Sequence, residues 1–339
     1  MKIGRYLLAS AALMGFSSVA SAQGYLISPN GQVQIGIVAT GNLDVSGTPG
    51  GFVGIGYNFT GQGGRTGFQD ALTPGCPCEG WGVAGNGAGN SVGQAFGNSG
   101  ISLVSQTQTA TSFTSVTTAA GSGLTVTQVF TLGTQTATGA LFQDQVTITN
   151  STGATVTGVQ YGRAMDWDVP PSEFREAVTH GGVGTTASLV HSTDDGFANA
   201  DPITAVTNGG LNGTPNTNGY QGIQDHGSLF VFGFGDLADG ASKTFNIFYG
   251  AGIDTADAFK LLSNISPELY SIGQSTVFDP TTFGYVADPT APTFVFAFNG
   301  VGGAVIVPPE DPTGVPAPAG LGLFGMALLG FAAVRRLRA

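Results

Sequence analysis

Alternation with a period of two residues runs through most of this chain and leaves little room for anything but strands. Phe294, Phe296 and Phe298 fall on one face of an extended segment. Within residues 141–149, Phe142, Val146 and Ile148 take one face, and Gln143, Gln145, Thr147 and Thr149 the other. Residues 229–234 and 244–249 read as two aromatic strands of a hairpin, joined across Asp236-Leu237-Ala238-Asp239-Gly240. Asn299-Gly300 starts a turn into a last strand at 304–307, and further strands are expected at 33–39, 52–59, 101–111, 124–132 and 156–164. One helix is expected, at 255–262, with Asp254 as its N-cap and Asp257 in its first turn. No βαβ alternation is visible, which argues against a parallel α/β fold. The fold class expected is mainly β: a large antiparallel β-sandwich, extended or two-lobed, with one short helix. The glycine-dense stretches 61–67, 82–100 and 208–220 read as long surface loops.

The two ends carry a different pattern. Lys2 and Arg5 precede an apolar run at 6–16, and Ala20-Ser21-Ala22 before Gln23 forms an A-x-A cleavage site, so an N-terminal signal helix at 1–22 feeding the Sec translocon is expected. At the other end a Pro-rich stalk, 308–314, leads into Val315-Pro316-Ala317-Pro318, a 16-residue apolar run at 319–334, and then Arg335, Arg336 and Arg338. That run falls short of the roughly 20 residues of a stable membrane span. It is also rich in small residues, among them Gly320, Gly322, Gly325 and Gly330. A C-terminal transmembrane helix of this kind suits a temporary hold, with the arginines in the cytoplasm and residues 23–307 outside.

The tail resembles the PEP-CTERM sorting signal of Gram-negative bacteria that make exopolysaccharide. It shares the Val-Pro-x-Pro opening, the glycine- and leucine-rich helix and the terminal arginines, over 25 of the 339 residues. It departs from the name-giving motif at Ala317, where Glu is usual. The resemblance implies processing near Pro316-Ala317-Pro318 by an exosortase, a polytopic membrane cysteine peptidase, and delivery to the cell surface or extracellular matrix. A Gram-positive sortase signal is excluded, because Pro312-Thr313-Gly314 lacks the preceding Leu-Pro. Residues 70–83 and 164–174 also resemble segments of exported bacterial proteins of unassigned function, which supplies no mechanism.

Charge sharpens this picture. The two tags hold five of the ten basic residues and none of the 21 acidic ones, so the remaining body carries a formal charge of −16. Such a surface repels nucleic acid and favours cations. Charged residues are only 9% of the chain, so its polar surface is built from Gly, Thr, Ser, Asn and Gln, as in many secreted β-rich proteins.

Candidate chemistry sits in three places. Cys76-Pro77-Cys78 holds the only cysteines, in a chain bound for an oxidising compartment. The readings are a local disulfide clip, an intermolecular cross-link, or metal or redox chemistry. In Met165-Asp166-Trp167-Asp168-Val169-Pro170-Pro171, a strand would point Asp166 and Asp168 to one face and Trp167 to the other. Two carboxylates beside an exposed aromatic suit glycan or Ca²⁺ contact; otherwise they are solvated acids at a strand end. Asp194, Asp195, Asn199 and Asp201 form an acidic loop whose closely spaced oxygens are of the type calcium uses, without the EF-hand spacing. His180, His191 and His226 match no zinc signature and read as polar loop residues. Thr107, Thr109 and Thr111, with Thr134, Thr136 and Thr138, form two threonine ladders.

The expectation is an exported protein of the cell surface or exopolysaccharide matrix, structural, adhesive or glycan-binding, more a non-enzyme than an enzyme. Its expected partners are the exosortase, the Sec translocon and extracellular polysaccharide; calcium is the one cofactor considered. The alternative is a secreted carbohydrate-active enzyme using Asp166, Asp168 or Glu173. Ice binding through the threonine ladders is a remote third reading.

Overall fold

The computed structural model describes residues 24–48, 51–62, 64–93, 100–205 and 218–308. Within them the chain is mainly β with two helices, and its sheets are antiparallel. The largest sheet has nine strands, in the order Gly219–Gln224, Glu176–Gly181, Leu269–Gln274, Thr293–Asn299, Ser242–Gly252, Ala140–Thr149, Thr125–Gln135, Ser112–Ala119 and Ile101–Gln108. A five-stranded sheet runs Leu189–Thr193, His226–Leu237, Val156–Trp167, Glu79–Gly85 and Ala88–Gly93. A four-stranded one runs Gly24–Ile27, Val33–Ile37, Ile55–Asn58 and Phe68–Asp70.

One apolar core joins all three sheets. The two smaller sheets lie over the same face of the nine-stranded one. Tyr161 meets Phe245 edge-on at 5.0 Å, and Phe232 meets Phe298 at 4.9 Å. On the four-stranded side, the Ser115 hydroxyl donates to the Ala39 carbonyl at 2.7 Å. The central strand Thr293–Asn299 is buried on both faces. Phe294, Phe296 and Phe298 point into the main core, while Val295 and Ala297 lie in a second cluster beneath the helix Thr255–Ile265. Asp254 caps that helix, accepting from the Asp257 amide at 2.8 Å.

Several elements differ from the sequence expectation. The stretch 82–100 is not a loop throughout, because Glu79–Gly85 and Ala88–Gly93 form a hairpin inside the five-stranded sheet. Its glycines reflect close packing: residues 194–205 cover the sheet's outer face, and a Cβ on Gly82 or on Gly162 would run into the Ala200 carbonyl oxygen. Residues 304–307 form no strand; they run extended, held by the Ala304 amide on the Thr185 carbonyl at 3.2 Å and the Ile306 amide on the Pro267 carbonyl at 2.7 Å. A two-stranded hairpin, Thr276–Asp279 with Gly284–Ala287, projects beside the nine-stranded sheet.

The expected signal segment with Ala20, Ala22 and Gln23 lies outside the described residues. So do the expected sorting tail with Val315, Pro316, Ala317 and Pro318, its Arg335, Arg336 and Arg338, and most of 208–220. No helix of the described residues is long and apolar enough to cross a membrane.

Candidate functional site: a buried acidic cluster

The strand Val156–Trp167 alternates strictly at its end. Tyr161, Met165 and Trp167 join the main core, while Ala164 joins the small cluster on the outer face, and Asp166 follows Ala164 on that side. The Asp166 amide donates to the Cys78 carbonyl at 2.9 Å, and the Asp168 amide to the Ala71 carbonyl at 2.8 Å. These bonds fix both aspartates by their backbone. Asp225 arrives from another direction. It is the single residue between Gly219–Gln224, in the nine-stranded sheet, and His226–Leu237, in the five-stranded one, so the chain changes sheets at this residue. One carboxylate oxygen from each of Asp166, Asp168 and Asp225 lies within 4.8 Å of the other two.

Glu176 stands beside this group, outside the three-carboxylate convergence. It opens the strand Glu176–Gly181, pairs in register with Gln224, and accepts from the His226 amide through Oε1 at 3.1 Å. Asp166, Asp168 and Glu176 are 1%, 0% and 0% exposed. Asp166 Oδ1, both oxygens of Asp168, Glu176 Oε2 and Asp225 Oδ1 have no hydrogen-bond partner. Among the described residues none of the four forms a salt bridge with Lys or Arg.

Burial without a counter-charge raises every pKa in the cluster. Desolvation, then the charges of Asp225 and Asp195, push Asp166 up to about 8. Desolvation followed by Asp166 and Asp225 puts Asp168 at about 9. Desolvation, against the His226 amide and with Asp166 and Asp168, puts Glu176 at about 9. Asp225 is raised by desolvation and pulled back by His226. At neutral pH these groups either hold protons or require a cation.

The surroundings are tight. A Cβ on Gly196 would strike the Asp166 Cα and Oδ1, and one on Gly227 would strike the Met165 carbonyl, so glycine is needed at both places. Cys76 and Cys78 form a disulfide with Cα atoms 5.2 Å apart, and both sulfurs lie within 4.8 Å of an Asp166 oxygen. Bonded to each other, they offer no thiolate ligand.

Other residues singled out from sequence take different roles. Trp167 is 0% exposed; its Nε1 donates to the Ser271 hydroxyl at 3.0 Å and its ring packs 6.4 Å from Phe294, so it presents nothing to a glycan. Buried as they are, Asp166 and Asp168 are not an exposed glycan-contact pair either. The acidic loop does not converge on a cation. Asp195 accepts from the Phe197 amide at 3.0 Å, Asn199 from the Asp201 amide at 2.9 Å, and Asp201 from the Ile203 amide at 2.9 Å, all local turn bonds. Asp194 sits 3.4 Å from His226 Nδ1. Short sequence spacing favoured self-capping of the loop over a shared centre. Glu173 pairs with Arg65 at 3.1 Å near the surface.

His180 and His226 are buried strand residues rather than loop residues, and His180 Nε2 lies 2.8 Å from the Ser228 hydroxyl. The threonine ladders are not neighbours: the strand Ser112–Ala119 separates Ile101–Gln108 from Thr125–Gln135, and the Thr136 and Thr138 hydroxyls donate to Asp257 at 3.1 and 2.9 Å.

Sequence reasoning missed Glu176 and Asp225. Glu176 follows Asp168 by eight residues but lies on a strand of the other sheet, and Asp225 is 59 residues from Asp166, so only the sheet switch at Asp225 brings them together. A comparison with protein-family models gives no match for this chain, and a search of curated proteins gives none either.

Proposed function

We propose that this is an exported protein of the cell surface or exopolysaccharide matrix: an acidic β-sandwich with a structural or adhesive role, released from the inner membrane by an exosortase. The observation that carries the reading is the tripartite tail, residues 315–339, combined with a cleavable signal at 1–22. The body between these tags supports it, with antiparallel sheets stacked on one continuous core and few charged groups outside its acids.

The geometry of the acids argues against the carbohydrate-active alternative. A glycosidase holds its two carboxyls about 5–5.5 Å or 6.5–9.5 Å apart, on either side of the scissile bond. Here Asp166 and Asp168 are buried, 1% and 0% exposed, beside each other in one cluster, so they do not face each other across an open cleft.

Glycan contact, if it contributes to adhesion, belongs on the projecting hairpin. Phe278, Phe283 and Tyr285 are exposed there, Phe278 meets Tyr285 edge-on at 5.7 Å, and the Arg175 guanidinium stacks 3.7 Å from the Tyr285 ring. Exposed aromatic rings stack on sugar faces, and the buried Trp167 has no such surface.

The test of sorting is to locate the protein, and sequence its C-terminus, in cells with and without the processing peptidase. The expected result is a C-terminus near Pro316–Pro318 at the cell surface, and full-length protein held at the inner membrane when the peptidase is missing. Persistence of the Arg335–Arg338 end in the surface-located protein would overturn the exosortase reading. For the hairpin, Phe278→Ala with Tyr285→Ala should abolish retardation in a gel containing the producer's own exopolysaccharide; unchanged mobility rules the hairpin out.

A further inference from the structure

We infer that Asp166, Asp168, Asp225 and Glu176 form a binding site for a hard divalent cation, Ca²⁺, which pins the five-stranded sheet to the nine-stranded sheet where the chain crosses between them. This site is independent of whether the tail is cut, and it is not the acidic loop at 194–201.

Three observations carry it. First, the oxygens of Asp166, Asp168 and Asp225 converge within 4.8 Å, so a small inward shift of the side chains brings all three to the 2.3–2.6 Å typical of calcium. Second, and apart from that convergence, Glu176 is fully buried with Oε1 occupied by the His226 amide and Oε2 unpartnered. Glu176 pairs in register with Gln224 and accepts from the His226 amide, so it flanks Asp225 from the neighbouring strand and Oε2 is the further oxygen offered to the same ion. Third, Asp168 is fully buried with both oxygens unpartnered. Buried polar atoms in folded proteins are almost always satisfied, and a carboxylate with neither oxygen paired is a costly exception unless it binds something positive.

The donor set selects the ion. All four ligands are carboxylates, with no thiolate because Cys76 and Cys78 are bonded to each other. Oxygen ligands in an irregular arrangement suit Ca²⁺, whereas Zn²⁺ takes nitrogen and sulfur in a tetrahedron and Mg²⁺ demands a near-ideal octahedron. The ligands also come from parts of the chain that need a tie. Asp166 and Asp168 end a strand of one sheet, Glu176 opens a strand of the other, and Asp225 is the crossover itself.

The experiment uses the full chain, stripped with chelator and titrated with CaCl₂ by calorimetry and thermal unfolding. One ion should bind per chain and raise the unfolding midpoint. Asp168→Asn and Glu176→Gln should each weaken binding by at least the roughly 10–100-fold that loss of an outer-shell partner costs. Asp201→Asn, in the acidic loop, should leave both signals intact. Should a ligand variant fail to fold, terbium luminescence excited through tryptophan reads the site in the wild-type chain, and Ca²⁺ should quench it by competition. Absence of both calcium heat and midpoint shift in the wild type overturns the site, as does full calcium response in Asp168→Asn. Tighter binding of Zn²⁺ than of Ca²⁺ overturns the choice of ion.

Discussion

Arg163 and Asp166 lie three residues apart on the strand Val156–Trp167, and their side chains leave it on opposite faces into two buried polar groups of opposite design. Inward, Arg163 is fully enclosed. Its Nε donates to Glu79, its Nη1 donates to Gln128 at 2.9 Å and to the Tyr161 hydroxyl at 3.2 Å, and its Nη2 donates to the Gly41 carbonyl at 3.1 Å. The other Glu79 oxygen accepts from the Leu43 amide at 2.6 Å. Asp144 stands 3.8 Å from the guanidinium, where burial pushes its pKa up to about 8 against the pull of Arg163. Outward, the four carboxylates have no Lys or Arg partner among the described residues, and the charge of His226 acts on Asp225 alone among them. The same sheet therefore buries charge in two ways. The inner set gives its acids a buried arginine and reads as architecture, although neither Asp144 oxygen has a hydrogen bond, whereas the outer set has no Lys or Arg and calls for a proton or an added cation.

The largest effect should come from breaking the inner set. Arg163→Met strands Glu79 in the core, and urea unfolding should show a loss of about 3–5 kcal/mol, with the Arg163→Met/Glu79→Met double variant recovering much of it. A single-variant loss below about 1 kcal/mol would show that the pair contributes no more than a surface one.

The outer set should announce itself through pH. Asp168 and Glu176 keep protons up to about 9 when folded, against ordinary values of 3.8 and 4.5. Between those limits the folded state binds more protons than the unfolded one, so calcium-free stability falls as pH rises. From pH 4 to pH 7 the loss should be on the order of 3 kcal/mol for each of the two groups, with calcium reversing the trend toward neutral pH. Scanning calorimetry of the wild type and of Asp168→Asn/Glu176→Gln makes the comparison. Parallel curves would remove the cluster as the source.

Much of this was legible in the chain, for local reasons. Phe294, Phe296 and Phe298 marked a core strand because side-chain alternation is a property of the strand itself. Asp254 and Asp257 marked the helix start because capping acts over three residues. Asp166 and Asp168 were correctly placed on one face, but their burial depends on the loop 194–205 and the glycines that admit it, which no spacing reveals. Glu176 and Asp225 stayed hidden because their meeting with Asp166 is set by a strand that changes sheets after Gln224. One signal was available and unused: Arg163 falls on the same alternating face as Tyr161, Met165 and Trp167, which predicts a buried arginine in need of an acid. The acidic loop misled in the opposite sense, since acids close in sequence most readily cap their own turns.

A smaller and opposite change should follow when the outer set is relieved. In calcium-free buffer at neutral pH, Asp168→Asn should gain about 2 kcal/mol, because an amide needs neither proton nor counter-ion in that place. That sign is the reverse of the Arg163→Met result, and a loss instead of a gain would mean that Asp168 has partners within the fold.

The disulfide offers the finest test of what completes the outer site. Cys76 and Cys78 close a ring of very few residues, so Cys76→Ser/Cys78→Ser should cost only about 1–2 kcal/mol by the chain-entropy argument. What matters is the calcium response of that variant. The loop reaches the acids through a backbone bond, the Asp166 amide on the Cys78 carbonyl at 2.9 Å, and this bond does not require sulfur. The calcium-induced midpoint shift should therefore survive at its wild-type size while baseline stability drops slightly. A shift that disappears with the disulfide would make the Cys76–Cys78 clip part of the site's construction, and the outer cluster would then depend on a covalent restraint that the inner, arginine-paired one does without.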